Sequence, residues 1–251
     1  MIKTPSSWFR PLPLALLLVA ACLALALNLW PPAWGATTTG SGVAATETRS
    51  PGSFDKLQVA GQIEVTVRQA AQPQVTVTAD DNLLPLIETV VDGDTLKVRV
   101  RDDNQVSTRR PVRVTVDAVT LSSIKLAGTG DLRVEAFKTP KLALALAGAG
   151  DADLQALDTD DLSLSIAGSG DIKAAGRAGA LALSIAGSGD ADLMQLVAKA
   201  VKVRIAGSGD ARVHADASLD VRIAGSGDVA YTGEARDVHS SVAGSGSVSR
   251  H

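Results

Sequence analysis

Alternating apolar and polar residues recur along the second half of this 251-residue chain. Residues 142–146 read Leu-Ala-Leu-Ala-Leu, residues 162–166 read Leu-Ser-Leu-Ser-Ile, and similar runs return at 181–185, 201–205 and 219–223. Alternation with a period of two is typical of a β-strand that buries one face. Each run therefore predicts a strand with aliphatic side chains on its inner face.

A glycine-rich tetrapeptide, Ala-Gly-x-Gly, follows each run at intervals of 18 to 20 residues. A second, weaker alternation comes after it, as in Ile172 and Ala174, so each unit is predicted to be strand, glycine turn, strand and loop. A fixed period of this length is typical of a stacked repeat fold. The seven tetrapeptides begin at Ala127, Ala147, Ala167, Ala186, Ala206, Ala224 and Ala243.

The energetics of one unit require that units stack. Burying about five aliphatic side chains, at about 1.5–3 kcal/mol each, contributes on the order of 10 kcal/mol. Ordering about twenty backbone residues costs about 1–2 kcal/mol each. We therefore expect an all-β fold, a parallel β-solenoid or β-helix with two sheets. Its coils of about 18–20 residues pair strand on strand, about 4.8 Å apart.

The paired glycines are interpreted as structural turn residues, because glycine adopts positive φ without steric cost. A phosphate cradle is disfavoured, since the pairs are not followed by the spacing of a Gly-x-Gly-x-x-Gly motif and an aspartate follows six of the seven pairs. The predicted turn glycines are Gly128, Gly130, Gly148, Gly150, Gly168, Gly170, Gly187, Gly189, Gly207, Gly209, Gly225, Gly227, Gly244 and Gly246.

The aspartates that follow the turns are candidate site residues. Our interpretation is that each carboxylate accepts hydrogen bonds from turn N–H groups, as aspartate does in Asx-turns. The alternative is a weak cation site, although calcium-binding solenoids use a nine-residue repeat that this chain lacks. The aspartate column is Asp131, Asp151, Asp171, Asp190, Asp210 and Asp228, and Ser247 replaces aspartate after the last turn.

Outward residues just after the turns alternate in charge from one unit to the next. Opposite charges on neighbouring strands contribute roughly 0.2–1 kcal/mol per pair, and like charges cost similar amounts. The alternation therefore predicts the register of the stack rather than a binding site. The residues are Arg133, Asp153, Lys173, Asp192 and Arg212.

Residues 53–120 have a different spacing but similar chemistry, and they predict an irregular β-rich cap that continues into the regular coils of 121–251. Residues 59–62, Val-Ala-Gly-Gln, resemble a degenerate eighth turn, and Asp92-Gly93-Asp94 is typical of a hairpin turn. Asp80-Asp81-Asn82 is expected to cap a short helix over 83–88, which Pro85 limits. Residues 102–110 are expected to form an exposed loop.

The first 35 residues indicate export. A short basic start, an apolar stretch over 12–29 and small residues near Gly35 are typical of a cleaved secretory signal. An uncleaved membrane anchor and a lipoprotein modified at Cys22 are the alternatives. Residues 36–52, rich in Thr, Ser, Gly and Ala, are expected to be a flexible linker. The chain then faces the periplasm, the outer membrane or cell surface, or the medium.

Composition narrows the possible partners. Net charge is −3 and only 3% of residues are aromatic, which argues against nucleic-acid binding. Cys22 is the single cysteine, so no disulfide framework is expected. The three histidines, His214, His239 and His251, occupy different phases of the repeat, so no metal site or cofactor is predicted.

The series of Ala-Gly-Ser-Gly-Asp turns, with the upstream Val-Ala-Gly-Gln-Ile-Glu-Val segment, resembles the bacterial "putative auto-transporter adhesin, head GIN domain" family over about residues 53–249. The resemblance implies a two-sheet β-helix, pectin-lyase-like in outline, with the glycine turns joining the sheets. It also implies an exported or envelope location and an adhesive role.

We therefore expect a non-catalytic, adhesin-like binding and structural module of the cell envelope. Its partner is an envelope protein or a glycan, its only membrane contact is an uncleaved or lipidated N-terminal segment, and a homo-oligomer is left open. The alternative is a polysaccharide lyase or hydrolase on the same scaffold. Such an enzyme needs clustered Asp, Arg or Lys side chains in one groove, and fold alone does not confer activity.

Overall fold

The structure is a computed structural model that describes residues 36–101 and 104–251. In this part of the chain there are eighteen β-strands and one 3-10 helix, Leu84–Leu86. The strands are β1 (Ala36–Thr39), β2 (Ala44–Arg49), β3 (Lys56–Gly61), β4 (Ile63–Gln69), β5 (Gln74–Asp80), β6 (Ile87–Asp92), β7 (Thr95–Val100), β8 (Asn104–Ser107), β9 (Val112–Ala118), β10 (Ser123–Gly128), β11 (Leu132–Gly148), β12 (Ala152–Gly168), β13 (Ile172–Gly187), β14 (Ala191–Gly207), β15 (Ala211–Gly225), β16 (Val229–Thr232), β17 (Asp237–Gly244) and β18 (Val248–Arg250).

The strands stack as a parallel β-solenoid, which confirms the predicted fold class. We call the stretch between successive turns a rung. The turns fall in one column, because Gly148 pairs with Gly128 on one side and with Gly168 on the other. The same register continues through Gly187, Gly207, Gly225 and Gly244.

Two sheets run along the stack. The pre-turn sheet contains the segments that lead into the turns, in the order β6, β7, β3, β10, the second halves of β11 to β15, and β17. The post-turn sheet contains the segments that follow the turns: β2, β5, β9, β4, the first halves of β11 to β15, β16 and β18.

The predicted loop between the two sheets is instead a bent continuation of the strand. In β11 the bends fall at two pairs of exposed neighbours, residues 135–136 and 140–141, between buried positions. Pairing with β12 continues on both sides of each bend, for example from Ala136 to Ala156 and from Lys141 to Asp161. The hydrogen-bond ladder survives because the neighbouring rung bends at the same place.

The core is aliphatic and lies between the sheets. Inward residues of successive rungs form columns, and burying each contributes about 1.5–3 kcal/mol. The three columns of the pre-turn sheet are Leu142, Leu162, Leu181, Val201 and Leu219, then Leu144, Leu164, Leu183, Val203 and Val221, then Leu146, Ile166, Ile185, Ile205 and Ile223, all at most 4% exposed.

The N-terminal cap shares both ladders with the regular rungs. Gly61 pairs with Gly128, so the degenerate eighth turn stands in the turn column. The outermost strands then change direction: β6 is antiparallel to β7, and β5 is antiparallel to both β9 and β2. Residues 92–94 form the predicted hairpin, with Gly93 at φ 63°.

Three local expectations differ from the structure. Residues 44–49 of the expected flexible linker form β2, which pairs with β5 along its full length. Arg49 anchors it, because its guanidinium donates to the backbone oxygens of Ile87 and Leu84. In the expected loop over 102–110, residues 104–107 form β8, which pairs with β1.

The expected short helix is only the 3-10 turn at residues 84–86, and its N-cap is Leu83 without a side-chain hydrogen bond. The polar residues before it act elsewhere. Asp81 and Asn82 bind Ser41, and the carboxylate of Asp80 accepts a hydrogen bond from Thr108. Asp81 and Asn82 therefore fasten the β1–β2 connection, and Asp80 fastens the segment after β8, instead of capping a helix.

The segment predicted to direct export, residues 1–35, lies outside the described residues. Among the residues that are described, no helix has the length and hydropathy needed to cross a bilayer.

Candidate binding surfaces and the turn column

The two glycines of each turn share one structural requirement and differ in a second. The first has positive φ in every turn, for example 136° at Gly168. The second does not, but it is buried against the preceding rung: a Cβ built on Gly170 would lie 2.1 Å from the carbonyl oxygen of Gly150. Close approach of neighbouring backbones therefore requires both glycines, since a Cβ on Gly168 would also lie 2.1 Å from the carbonyl oxygen of Gly148, and positive φ is a further requirement of the first.

The backbone N–H groups of the turns are used within the stack. Ser169 N donates to the carbonyl oxygen of Gly148, 2.9 Å away, and Ser208 N donates in the same way to Gly187. N–H groups that are already bonded are not available for a phosphate.

The aspartate column forms a ladder of its own. The Oδ1 atom of Asp171 accepts the backbone N–H of Asp190 at 2.8 Å, and Asp190 accepts that of Asp210 at 2.8 Å. The column begins with Asp131 accepting from Asp151 at 3.2 Å and ends with Asp228 accepting both N and Oγ of Ser247. Each carboxylate thus supplies an acceptor for the next rung, where the turn interrupts the backbone ladder.

Cation binding at this column was the alternative to turn capping, and it is untested. Within residues 36–101 and 104–251, no group of three or more His, Cys, Asp or Glu side chains is placed to hold a metal ion. The serines between the paired glycines, Ser169, Ser188, Ser208, Ser226 and Ser245, are all exposed along the same edge.

One histidine takes part in a polar chain that sequence reasoning did not find. Thr232 Oγ1 lies 3.0 Å from His214 Nδ1, and His214 Nε2 lies 3.0 Å from Asp216 Oδ1. Thr232 stands one rung above His214, so only the stack brings them together. At the other end of the last rungs, His239 lies 3.0 Å from Asp237.

The outer face of the post-turn sheet carries the predicted charge alternation. The register places Arg133 beside Asp153, then Lys173, Asp192 and Arg212 in one column, which we call the alternating column. The closest pair is Arg133 with Asp153, at 4.0 Å. Exposed pairs at this distance contribute little individually, so the alternation mainly disfavours other registers.

The outer face of the pre-turn sheet follows a different rule. One outward column, two residues before each turn alanine, reads Lys125, Ala145, Ser165, Ser184, Arg204, Arg222, Ser241, and we call it the basic column. Beside it lie Ala143, Ser163 and Ala182. The result is a floor of alanine and serine with cations at both ends, and a shallow depression of about 270 Å³ extends from Lys125 to Arg204.

The basic column was missed by sequence reasoning, although a signal is present. Once the turns are aligned, the position two residues before the alanine is small in three successive units and arginine in the next two. This pattern can be recognised only after the repeats have been aligned in the correct register.

Comparisons with known proteins agree with the fold. Residues 53–235 match the sequence model of the family described as "Putative auto-transporter adhesin, head GIN domain". No curated protein sequence matches the chain.

Several solved structures are similar. A putative adhesin from Bacteroides fragilis is 25% identical with a TM-score of 0.81, over 85% of this chain and 100% of that one. A putative lipid binding protein from Parabacteroides distasonis is 25% identical with a TM-score of 0.72, over 86% and 100% of the two chains. A putative adhesin from Parabacteroides merdae, 24% identical with a TM-score of 0.67 over 86% and 99%, shares the fold.

Proposed function

Because this chain belongs to the family described as "putative auto-transporter adhesin, head GIN domain", we propose that it is an exported, non-catalytic binding and structural module of the bacterial cell envelope. Its partner is an envelope protein or a glycan. The observation that carries the proposal is the form of the outer surface. Outward side chains of successive rungs stand beside one another in columns, which suits an extended partner better than a small enclosed ligand.

The rigidity of the scaffold supports a binding role. Each rung is tied to the next through the backbone ladder, the turn carbonyls and the aspartate ladder. A stack held in these three ways presents its outward side chains at fixed spacing. Preorganised surfaces lose less conformational entropy on binding, so weak contacts can add along the stack.

The binding proposal is tested by incubating the isolated full chain with envelope extract and recovering bound material. Saturable capture is expected, and the matched control is the Gly168→Val variant, which disrupts the stack. Equal capture by both proteins, or none by the native chain, would contradict the proposal.

Export is tested on the form of the chain found outside the cytoplasm. N-terminal sequencing that starts near Ala36 supports signal cleavage, and an intact Met1 in the membrane fraction supports an anchor. A blocked N-terminus that the Cys22→Ser variant abolishes supports a lipoprotein. A chain that stays entirely in the cytoplasm would overturn the proposed location.

The enzyme alternative has one observation in its favour. The Thr232–His214–Asp216 chain holds an imidazole between a hydroxyl and a carboxylate, and a positioned imidazole is a common general acid or base. Acidic polysaccharides are incubated with the native chain and with the His214→Ala variant, and new reducing ends are measured. We expect none from either protein. A signal that the substitution removes would replace the non-catalytic proposal with a polysaccharide lyase or hydrolase.

A further inference from the structure

Two arginines stand side by side in the basic column. Arg204 of β14 and Arg222 of β15 are paired in register, and both are exposed. Neighbouring strands lie about 4.8 Å apart, and like charges directly opposite each other are destabilising. The alternating column on the other sheet avoids such a pair at every step. The requirements of the fold therefore do not explain the arginine pair.

The outer face of the pre-turn sheet carries too few carboxylates to neutralise the basic column. Asp220 lies 3.5 Å from Arg222 and 3.8 Å from Lys202, so one carboxylate serves two cations. Across the described residues, no carboxylate lies within 4.0 Å of the Arg204 guanidinium or the Lys125 ammonium group. Further acids, Asp161 and Asp237, stand in the column next to the corner, where Asp161 is beside Lys141. The basic column keeps an excess of positive charge.

The floor between the cations is a long, shallow depression. Lys125 and Arg204 are four rungs apart, which is about 19 Å at the usual strand spacing. The three rungs between them present only Ala145, Ser165 and Ser184 in this column. An extended chain can lie on this floor along the stack axis, with anionic groups reaching the cations at its two ends. The serine hydroxyls offer hydrogen bonds along the way.

We infer that the basic column binds a linear anionic polysaccharide, one that carries carboxylate or sulfate groups. This inference rests on the proposed function and deepens it by naming the surface and the partner class. Arginine suits such groups because its planar fork donates two parallel hydrogen bonds to a carboxylate or a similar oxyanion. Because the attraction is electrostatic and no aromatic stacking adds to it, binding is expected to weaken as ionic strength rises.

Other anionic partners fit this face less well. A few cations alone attract an anionic membrane weakly, at about 1 kcal/mol each, and stable binding also needs apolar or aromatic side chains that insert among the lipids, whereas this floor offers alanine and serine. A folded protein partner needs large side chains or pockets at the centre of its interface, which the floor lacks. Single-stranded nucleic acid is bound largely by stacking its bases on aromatic side chains, and this floor offers only alanine and serine.

The test uses the full chain as isolated, with immobilised polygalacturonate and dextran sulfate. The neutral counterparts, methyl-esterified polygalacturonate and dextran, serve as matched polymers. We expect binding to the charged polymers only, weakening as sodium chloride is raised. The Arg204→Ala/Arg222→Ala variant is expected to bind at least about tenfold more weakly. The matched control is Arg133→Ala/Arg212→Ala, which makes the same change in charge on the other sheet and is expected to change binding by less than about twofold.

Thermal unfolding of both double variants guards against a trivial loss of structure. The Arg204→Ala/Arg222→Ala variant is expected to keep or raise its Tm, because it removes a repulsive pair. Equal weakening in the two variants would overturn the assignment to this face. Preferential binding of anionic phospholipid vesicles over the charged polymers would overturn the partner class.

The envelope-capture experiment separates this inference from the proposed function. If envelope capture persists while no charged polymer binds, the inference fails and the proposed function stands. Loss of all envelope capture would contradict the proposed function itself.

Discussion

The two outer faces of the solenoid obey different rules although the same strands build both. In the alternating column, each charged residue stands beside one of opposite sign, as Asp153 stands between Arg133 and Lys173. In the basic column, small residues fill three rungs and Arg204 then meets Arg222. One face is arranged so that the stack has a single favoured register. The other tolerates an unfavourable neighbour, which is the mark of a surface kept for an outside partner.

The largest expected effect comes from breaking the stack that this comparison presupposes. Gly168→Val places a β-branched side chain at φ 136°, with its Cβ 2.1 Å from the carbonyl oxygen of Gly148. We expect a loss of about 2–6 kcal/mol in the free energy of unfolding from backbone strain and overpacking together. Chemical denaturation measures it. Ser169→Ala, one residue along and exposed, is the control and is expected to stay within about ±0.5 kcal/mol. An unchanged Gly168→Val midpoint would refute the turn geometry.

A charge reversal on each face is expected to act in opposite directions. Lys173→Glu puts a third carboxylate between Asp153 and Asp192, and we expect a loss of about 0.5–2 kcal/mol from the two cross-strand pairs. Arg204→Glu faces Arg222 with an opposite charge, so its stability is expected to be unchanged or higher by up to about 1 kcal/mol. Both are read from urea unfolding at low salt. Losses of similar size in the two variants would remove the distinction between the faces.

The aspartate column borders both faces, and a pair of substitutions separates its two interpretations. Asp171→Ala leaves the Asp190 N–H without its acceptor and is expected to cost about 0.5–1.5 kcal/mol. Asp171→Asn keeps an acceptor oxygen and is expected to retain most of that stability. Excess EDTA is expected to leave the Tm of the native chain unchanged. A drop in Tm with EDTA, or an asparagine variant as unstable as the alanine one, would favour the cation site.

The smallest effect concerns the ion pair between Lys56 and Asp94, at the N-terminal end of the pre-turn sheet. A hydrogen bond from Lys56, and a second from Thr95, hold the pKa of Asp94 below its usual value. Since the folded pKa lies below the unfolded one, the contribution is present above the usual aspartate pKa and is lost as pH falls through the lowered value. The native chain is therefore expected to be slightly more stable than Asp94→Asn near neutral pH. That difference should vanish in strong acid, and one that grows on acidification would contradict this pairing.

Much of the fold followed from local pattern. Period-two alternation identified the strands and their inner faces, and the repeated glycines identified the turns, Gly61 included. The family resemblance and the solenoid were therefore within reach of the sequence. The charge alternation at Asp153 and Lys173 likewise predicted the register, and the two residues are paired in the stack.

Other features were beyond local pattern because they depend on neighbours from distant segments. β2 looks like a linker by composition, and it becomes a strand only because β5 offers an antiparallel edge and Arg49 finds carbonyl acceptors on another segment. The polar residues at 80–82 resemble a helix cap, but Ser41 and Thr108 compete successfully for their side chains. Tertiary partners override a local signal wherever both would use the same groups.

Which side chains point inward and where the chain turns were thus decided along the chain, since strand alternation and glycine φ are properties of consecutive residues. Which surface side chains become neighbours was decided by the pairing of successive rungs. Asp171 meets an N–H 19 residues away, and Arg204 meets Arg222 on the next strand. Hydrogen bonds and charge pairs in a solenoid run across the chain direction, so they take shape only after the coils are stacked in register.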